Sequence, residues 1–152
     1  MVSAFSSLIN GGYYYQPHVV KQVQDENGNV IETNDPTLLR KTVSKQTSDR
    51  VKEALRAVMT DGTGVPANVE GYDIGGKTGT AEKLPRGNGD YLLSFIGYAP
   101  QENPEVVIYV VIDEPNVENQ ELSSYVLELS QKIMAEAFPY PVSYTHLRAH
   151  ET

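Results

Sequence analysis

The sequence contains no cysteine, and basic side chains are scarce. Without cysteine, disulfide bonds, thiol nucleophiles and cysteine-ligated metal sites are excluded. Lysine and arginine number 12 against 20 aspartate and glutamate residues, which gives a formal net charge of -8. Because no local basic cluster offsets this charge, nucleic acids and anionic membrane surfaces are disfavoured as partners.

Long apolar runs are also missing. No stretch reaches the length of a membrane-spanning helix, and the start has no basic region followed by an apolar one. We therefore predict no membrane segment within these residues. Asp113, Glu114 and Glu118 have no histidine beside them, so we interpret them as part of a solvated acidic loop. We predict neither a metal site nor a cofactor.

What is present has the size and composition of one globular domain: 152 residues, 39% hydrophobic and 21% charged. The first amphipathic segment has no capping residue before it, so we expect Met1 to be an internal methionine of a longer protein. Residues 142–152 show no periodicity and resemble translated adapter read-through. We assign residues 1–141 to the domain and residues 142–152 to a non-native or disordered tail.

Apolar periodicity predicts three helices, at residues 1–10, between Ser44 and Gly62, and at residues 121–137. For the last helix the predicted apolar stripe consists of Leu122, Val126, Leu129, Ile133 and Ala137. Between the first two helices we predict a hairpin with its turn at residues 25–29. The three tyrosines at residues 13–15 are interpreted as packing after a turn, and residues 35–43 as a connector.

Three strands are predicted at residues 72–83, 91–99 and 106–112. The segments between them are short and rich in turn residues, which favours antiparallel neighbours over parallel crossovers. The third strand reads VVIYVVI and is apolar on both sides, so we expect a covered central strand. These elements predict an α+β fold with an antiparallel sheet flanked by helices.

The segment GYDIGGKTGT, at residues 71–80, fits two incompatible motifs. Its G-x4-G-K-T pattern matches the phosphate-binding loop of nucleotide-binding proteins, whereas Lys77-Thr78-Gly79 matches a strand motif of serine acyl-transfer enzymes. A phosphate loop requires a strand before Gly71 and a helix beginning at Lys77, and the sequence favours neither. We therefore favour the strand and reject a nucleotide-binding module.

On an extended strand alternate residues share a face, so Lys77 and Gly79 are expected on one side and Thr78 and Thr80 on the other. A lysine supplies positive charge beside an acyl-transfer centre, and threonine hydroxyls can donate to a substrate carboxylate. A backbone N–H can stabilise an oxyanion.

Small residues surround this motif. Glycines at positions 75, 76 and 79 remove side chains where a substrate backbone would lie close. Gly76 is therefore a candidate cleft-lining residue. The preceding Gly62-Thr63-Gly64 segment is either a simple helix stop or a second part of the cleft, which makes Thr63 a further candidate.

The segments GKTGTAEK, YLLSFIGYAP and VVIYVVIDEP, in this order, resemble the C-terminal part of a penicillin-binding protein transpeptidase domain. Upstream, ALRAVMTDGTG and SAFSSLINGGYYYQPHVV are similar to the class B, monofunctional members. The resemblance covers roughly residues 1–141. It implies the fold of the penicillin-recognising serine enzymes. It also implies peptidoglycan cross-linking by serine acyl transfer on D-alanyl-D-alanine stem peptides, which beta-lactams mimic.

Carried onto this sequence, the resemblance makes Lys77 and Thr80 catalytic, and Thr78, Gly79 and Thr80 substrate-binding. Lys77 would support electrostatics and proton traffic, the two threonine hydroxyls would contact the substrate carboxylate, and the Thr80 N–H would form half of an oxyanion hole. The parent protein would be anchored in the bacterial cytoplasmic membrane, with this domain on the outer side. Its partners would be cell-wall synthesis proteins.

One departure from the family is plain, because the sequence contains neither S-x-x-K nor S-x-N. Both motifs precede K-T-G in the family, so we expect the nucleophilic serine upstream of this chain and expect the chain alone to be inactive. A D,D-carboxypeptidase, a beta-lactam-sensing domain of the same fold and a non-catalytic fragment remain as alternatives.

Overall fold

The structure, a computed structural model, describes residues 1–140, and the tail predicted at residues 142–152 lies outside the described residues. The described elements are, in chain order, α1 (Val2–Ile9), β1 (Tyr13–Tyr15), β2 (Gln22–Gln24), β3 (Val30–Thr33), β4 (Leu38–Lys41), α2 (Lys45–Thr60), a 3-10 helix (Val65–Ala67), β5 (Gly75–Glu82), β6 (Tyr91–Ala99), β7 (Val106–Asp113) and α3 (Ser124–Ala137). The described residues form two compact units, one of residues 1–49 and one that begins at Arg50.

In the first unit, α1 buries Ser7 and Ile9 and is followed by two glycines with positive φ. Only glycine fits at the second of these, Gly12, because a Cβ there would lie 2.0 Å from the backbone oxygen of Val43. The predicted end of the first helix at this glycine pair is therefore confirmed.

Two short antiparallel strand pairs complete the first unit. The β2–β3 hairpin has its turn where it was predicted, and the N–H of Asp25 donates to the backbone oxygen of Asn29 at 2.9 Å. The pairing of β1 with β4, which places Tyr13 opposite Lys41, was not predicted. The interpretation of residues 35–43 as a connector was therefore wrong, because residues 38–41 form a strand that is too short to show an alternating pattern. The three tyrosines, interpreted as packing after a turn, form the strand β1.

The helix α2 begins where the sequence indicated. The hydroxyl of Ser44 accepts a hydrogen bond from the N–H of Thr47 at 3.1 Å, which satisfies one of the free donors of the first turn. Leu55 and Met59, four residues apart on the predicted apolar face, are buried at 8% and 1% exposure.

The second unit contains an antiparallel sheet in the order β5-β6-β7. Its central strand is β6, with Leu93, Phe95 and Tyr98 fully buried. The expectation that VVIYVVI forms the central strand was wrong, because β7 lies at the sheet edge and exposes Tyr109 and Val111. The alternate residues Val106, Ile108, Val110 and Ile112 pack against the core cluster.

The last helix, α3, begins at Ser124 and not near residue 121 as predicted. The predicted stripe is wrong in orientation, because Leu122, Leu129 and Ile133 are 40–44% exposed. The buried face consists of Val126, Leu127, Ser130 and Met134. The α+β architecture with an antiparallel sheet agrees with the prediction. Within residues 1–140, no helix combines the length and apolar character needed to cross a membrane.

Candidate functional site

The motif Lys77-Thr78-Gly79 lies within β5, and this strand pairs with β6 along its whole length, from Gly75 opposite Tyr98 to Glu82 opposite Tyr91. A phosphate-binding loop would require a helix beginning at Lys77, and the chain is extended there. The strand interpretation of the motif is therefore confirmed.

The outer edge of β5 carries backbone groups that take no part in the pairing with β6. Beyond the last paired residues, the N–H of Lys83 donates to the backbone oxygen of Asp90 at 2.8 Å. Hydrogen-bonded and non-hydrogen-bonded pairs alternate in an antiparallel ladder, so the odd-numbered residues of β5 bond to β6. Thr78 and Thr80 consequently direct their N–H and C=O groups away from β6. In the described part of the chain, no other strand pairs with this edge.

A pair of hydroxyl groups lies beside this edge. The Oγ1 atoms of Thr63 and Thr78 are 2.9 Å apart. Thr63 is brought there because the chain folds back after α2, where the N–H of Gly64 donates to the oxygen of Val58 at 3.0 Å. A Cβ at Gly64 would lie 2.5 Å from Sδ of Met59, so this close return requires glycine.

The ammonium group of Lys77 lies at the same place. Its Nζ donates to the backbone oxygen of Thr78 at 2.9 Å and lies 3.5 Å from the Thr78 hydroxyl. The strand alternation separates Lys77 and Thr78 at their Cβ atoms, as expected, yet the long lysine side chain bends over the strand edge. No carboxylate in residues 1–140 forms an ion pair with Lys77, so its charge is available to an anion.

The glycines of β5 have a structural role that the sequence did not reveal. A Cβ at Gly75 would lie 2.4 Å from the ring of Tyr98, and one at Gly76 would lie 2.6 Å from Cζ of Phe95. These positions are small because aromatic rings of β6 fill the space beside them. The role of Gly76 as a cleft-lining residue stays a prediction.

Ser94 is a neighbour of the motif that the sequence analysis missed. It lies opposite Gly79, and a Cβ at Gly79 would be 2.5 Å from its hydroxyl oxygen. The pair could have been predicted from the sequence by matching residues of β5 and β6 one by one, starting at the short turn that joins the two strands. Ser94 provides a further hydroxyl on the face that Lys77 and Gly79 share.

An ion-pair cluster fixes the far end of β5. Lys83 contacts Glu114 and lies 2.9 Å from the carboxylate of Asp113. The hydrogen bonds that Lys83 donates to Glu114, and secondarily to Asp113, raise the pKa of Lys83 above its ordinary value. The cluster ties the end of β5 to the end of β7. Residues 1–140 contain no group of three or more side chains suited to a metal ion.

Comparison with known proteins supplies a family for this arrangement. A family model described as the penicillin binding protein transpeptidase domain matches residues 1–137. The stage V sporulation protein D of Bacillus subtilis is 34% identical over 142 residues, which is 91% of this chain and 22% of that protein. The peptidoglycan D,D-transpeptidase FtsI homolog of Mesostigma viride is 34% identical over 133 residues, covering 77% of this chain and 22% of that protein.

A solved structure gives the same result. Penicillin binding protein 3 from Mycobacterium tuberculosis, complexed with ampicillin, is similar with a TM-score of 0.70 and 26% sequence identity. The match covers 91% of this chain and 34% of that one. The chain therefore spans about a fifth of the curated relatives and about a third of the solved domain.

Proposed function

Because the chain belongs to the penicillin-binding protein transpeptidase family, we propose that it is the C-terminal part of a peptidoglycan D,D-transpeptidase working by serine acyl transfer. One observation carries the proposal. At the open edge of β5, the outward N–H of Thr80, the hydroxyls of Thr63 and Thr78 and the ammonium group of Lys77 lie together. These groups suit a substrate with a carbonyl and a terminal carboxylate.

The substrate peptide binds as an added strand along the outer edge of β5, with which no other strand of the described residues pairs. Its terminal carboxylate accepts hydrogen bonds from the hydroxyls of Thr78 and Thr80, with Thr63 supporting Thr78. The carbonyl of the scissile bond points at the N–H of Thr80. The charge of Lys77, unpaired with any carboxylate in residues 1–140, favours an anionic peptide end.

The reaction then proceeds by acyl transfer in two steps. A serine oxygen, from a segment upstream of this chain, attacks the penultimate D-alanyl carbonyl, the C–N bond breaks and D-alanine leaves. The amine of a second stem peptide attacks the resulting ester, forming the cross-link and releasing the serine. The negative charge that develops on the carbonyl oxygen in both steps is stabilised by the Thr80 N–H. A beta-lactam acylates the same serine.

Membrane anchoring of the parent protein and its association with cell-wall synthesis proteins belong to the same proposal. A D,D-carboxypeptidase would use the same edge of β5 with water as acceptor, and a beta-lactam sensor would stop at the acyl-enzyme. The acceptor amine separates these alternatives, because only a transpeptidase transfers the acyl group to a labelled amine.

The test is a hybrid protein in which residues 1–137 replace the matching portion of Mycobacterium tuberculosis penicillin binding protein 3. We expect fluorescent penicillin to acylate the folded hybrid. Thr80→Pro removes the proposed oxyanion donor together with the hydroxyl proposed to bind the carboxylate, and it should slow acylation by about 10²–10³-fold. Glu82→Pro is the matched control, since its N–H also points outward and is two residues from Thr80.

Two results would contradict the proposal. One is a folded hybrid, with a cooperative thermal transition, that takes up no penicillin. The other is equal acylation of the Thr80→Pro and Glu82→Pro variants. The 152-residue chain by itself should gain no covalent penicillin adduct, because it lacks S-x-x-K, and intact-protein mass spectrometry checks this.

A further inference from the structure

The first unit contains a pocket that the proposed acyl transfer does not use. It lies between α1 and β1 and has a volume of about 230 Å³. The residues that line it are Ser3, Ser6, Asn10, Tyr13, Tyr15, Gln16, Pro17 and His18. Although 21% of the chain is charged, no carboxylate, ammonium or guanidinium side chain lines this pocket.

Two tyrosine rings form one side of the pocket. Tyr13 and Tyr15 are two residues apart on β1 and therefore share a face, where they are 41% and 42% exposed. Tyr14 belongs to the opposite face and stacks instead with the guanidinium group of Arg40, 5.0 Å from its ring centre. The Nζ of Lys41, 5.2 Å from the ring centre of Tyr13, supports that ring from one side.

The backbone beneath the rings is held in place. The amide side chain of Asn10, at the end of α1, donates to the backbone oxygen of Tyr13 at 2.8 Å and accepts from its N–H at 2.9 Å. The first tyrosine of the pair is thereby fixed relative to the helix that forms the other wall. A pocket with fixed walls requires little reorganisation to bind a ligand.

The remaining walls offer neutral hydrogen-bonding groups. Ser3 and Ser6 are half-buried on α1, and within the described residues their hydroxyls have no hydrogen-bond partner. The Nδ1–H of His18 donates to the backbone oxygen of Gln16 at 3.3 Å, and the Nε2 is a second hydrogen-bonding atom of the same ring. The pocket thus combines exposed aromatic faces with uncharged donors and acceptors.

We propose that this pocket binds one ring of a neutral saccharide. A pyranose ring presents C–H groups that pack on tyrosine faces, and hydroxyls that exchange hydrogen bonds with serine and amide groups. Phosphate and carboxylate ligands are disfavoured because no cationic side chain lines the walls. The volume is below the roughly 300–1,000 Å³ of pockets for drug-sized ligands, so the site accepts a single ring of a longer chain.

The test is titration of the isotope-labelled 152-residue chain with tri-N-acetylchitotriose, followed by nuclear magnetic resonance of the backbone amides. We expect shift changes confined to residues 3–18. Tyr15→Ala should weaken binding by about tenfold or more. Tyr14→Ala is the matched control, because it removes an identical ring from the opposite face of β1, and it should leave the affinity unchanged.

A second variant tests the proposal independently, in case Tyr15→Ala misfolds. Ser6→Leu fills the pocket from the helix side with a good helix former and should abolish binding while the rest of the spectrum is preserved. The proposal is overturned if no shift appears in residues 3–18 up to the solubility limit of the saccharide. It is also overturned if both alanine variants bind equally, or if inorganic phosphate competes. None of these outcomes bears on the acyl-transfer proposal, which concerns the second unit.

Discussion

The hydroxyl groups of Thr63 and Thr78 lie 2.9 Å apart, although the two residues are separated by 15 positions in the chain. This contact joins the loop after α2 to the strand that carries the Lys77-Thr78-Gly79 motif. The Thr78 hydroxyl, which is proposed to bind a substrate carboxylate, therefore already contacts another side chain of the protein. The threonine of the Gly62-Thr63-Gly64 segment contacts the motif strand, and the cleft-lining role of Thr63 stays a prediction.

We expect Thr63→Val to lower the free energy of unfolding by about 0.5–1 kcal/mol, at the lower end of hydrogen-bond values because water competes at this exposed pair. Thr63→Ser keeps the hydroxyl and should stay closer to the wild type. Urea unfolding of the purified chain measures both. Equal stability of the wild type and the valine variant would show that the contact contributes nothing.

The glycines of β5 differ in how much stability their substitution by alanine should cost. At Gly76 a Cβ would lie 2.6 Å from Phe95 and 3.0 Å from the backbone oxygen of Ile96, and neither can move easily. Gly76→Ala should therefore lower the free energy of unfolding by about 1–3 kcal/mol. At Gly79 the obstacle is the hydroxyl of Ser94, which can rotate away, so Gly79→Ala should cost less than about 1 kcal/mol.

Thermal unfolding of both variants checks this difference. The double variant Gly79→Ala with Ser94→Ala removes the obstacle altogether and should recover whatever Gly79→Ala loses. If Gly76→Ala were as stable as the wild type, the ring of Phe95 would not be the reason for glycine at this position.

The elements predicted correctly from sequence are those whose signals are local. The position of α2 between Ser44 and Gly62 follows from its own apolar periodicity, and the extended form of β5 follows from the glycines around Lys77. The candidate site residues Lys77 and Thr78 could be named for the same reason. The contact between Thr78 and Thr63 could not be predicted, because it depends on how closely the loop at Gly64 packs against the end of α2.

Two of the errors concern which face of an element is covered. VVIYVVI reads as apolar on both faces, yet whether Tyr109 is buried depends on what the rest of the protein places beside β7. The stripe on α3 was displaced because Leu129 and Ile133 are as apolar as the residues that pack on the sheet. Apolar composition does not distinguish the two faces when both are apolar.

The ion pairs of Lys83 with Glu114 and Asp113 predict a dependence of stability on alkaline pH. Because these contacts raise the pKa of Lys83 in the folded state, they contribute fully below the unfolded pKa of about 10.4. The contribution is lost as pH rises from there toward the folded pKa, since only the unfolded state then releases its proton. Lys83→Met should therefore have a lower free energy of unfolding than the wild type at pH 7. Above a pH of about 10, its free energy of unfolding should decrease less with pH than that of the wild type.

Urea unfolding of the wild type and Lys83→Met at neutral and alkaline pH measures this difference. Added salt should reduce the difference in free energy of unfolding between the two proteins at neutral pH, because the ion pairs are partly exposed and salt screens them. A gap that persists unchanged in high salt would indicate lost packing of the lysine stem instead of lost ion pairs.

The environment of Tyr98 predicts a second decrease in stability at alkaline pH, with a different cause. Burial, and secondarily the nearby charge of Asp73, raise the pKa of its hydroxyl. Above the unfolded value of about 10, the unfolded chain ionises this tyrosine while the folded chain does not, so stability falls. Tyr98→Phe should make the alkaline decrease shallower. Substitution of the exposed Tyr109 by phenylalanine is the control, and an equal effect of both would contradict the assignment.

The exposed side of β7 predicts self-association of the isolated chain. The outer edge of β7 is unpaired in the described chain, and Tyr109 and Val111 expose 37% and 42% of their surface beside it. An apolar, unpaired edge strand is a template for pairing with another chain. Val111→Lys places a charge on the exposed face and should shift the chain toward monomer in sedimentation velocity runs without lowering its unfolding midpoint.

The neighbouring substitution Val110→Lys is the matched control for Val111→Lys. It introduces the same charge one residue away, on the face that packs against the core cluster, and should lower the free energy of unfolding by at least about 2 kcal/mol. If both variants lose stability alike, both faces of β7 are buried in solution, as VVIYVVI first suggested. If Val111→Lys associates as strongly as the wild type, association occurs through another surface, because a charged edge strand resists pairing.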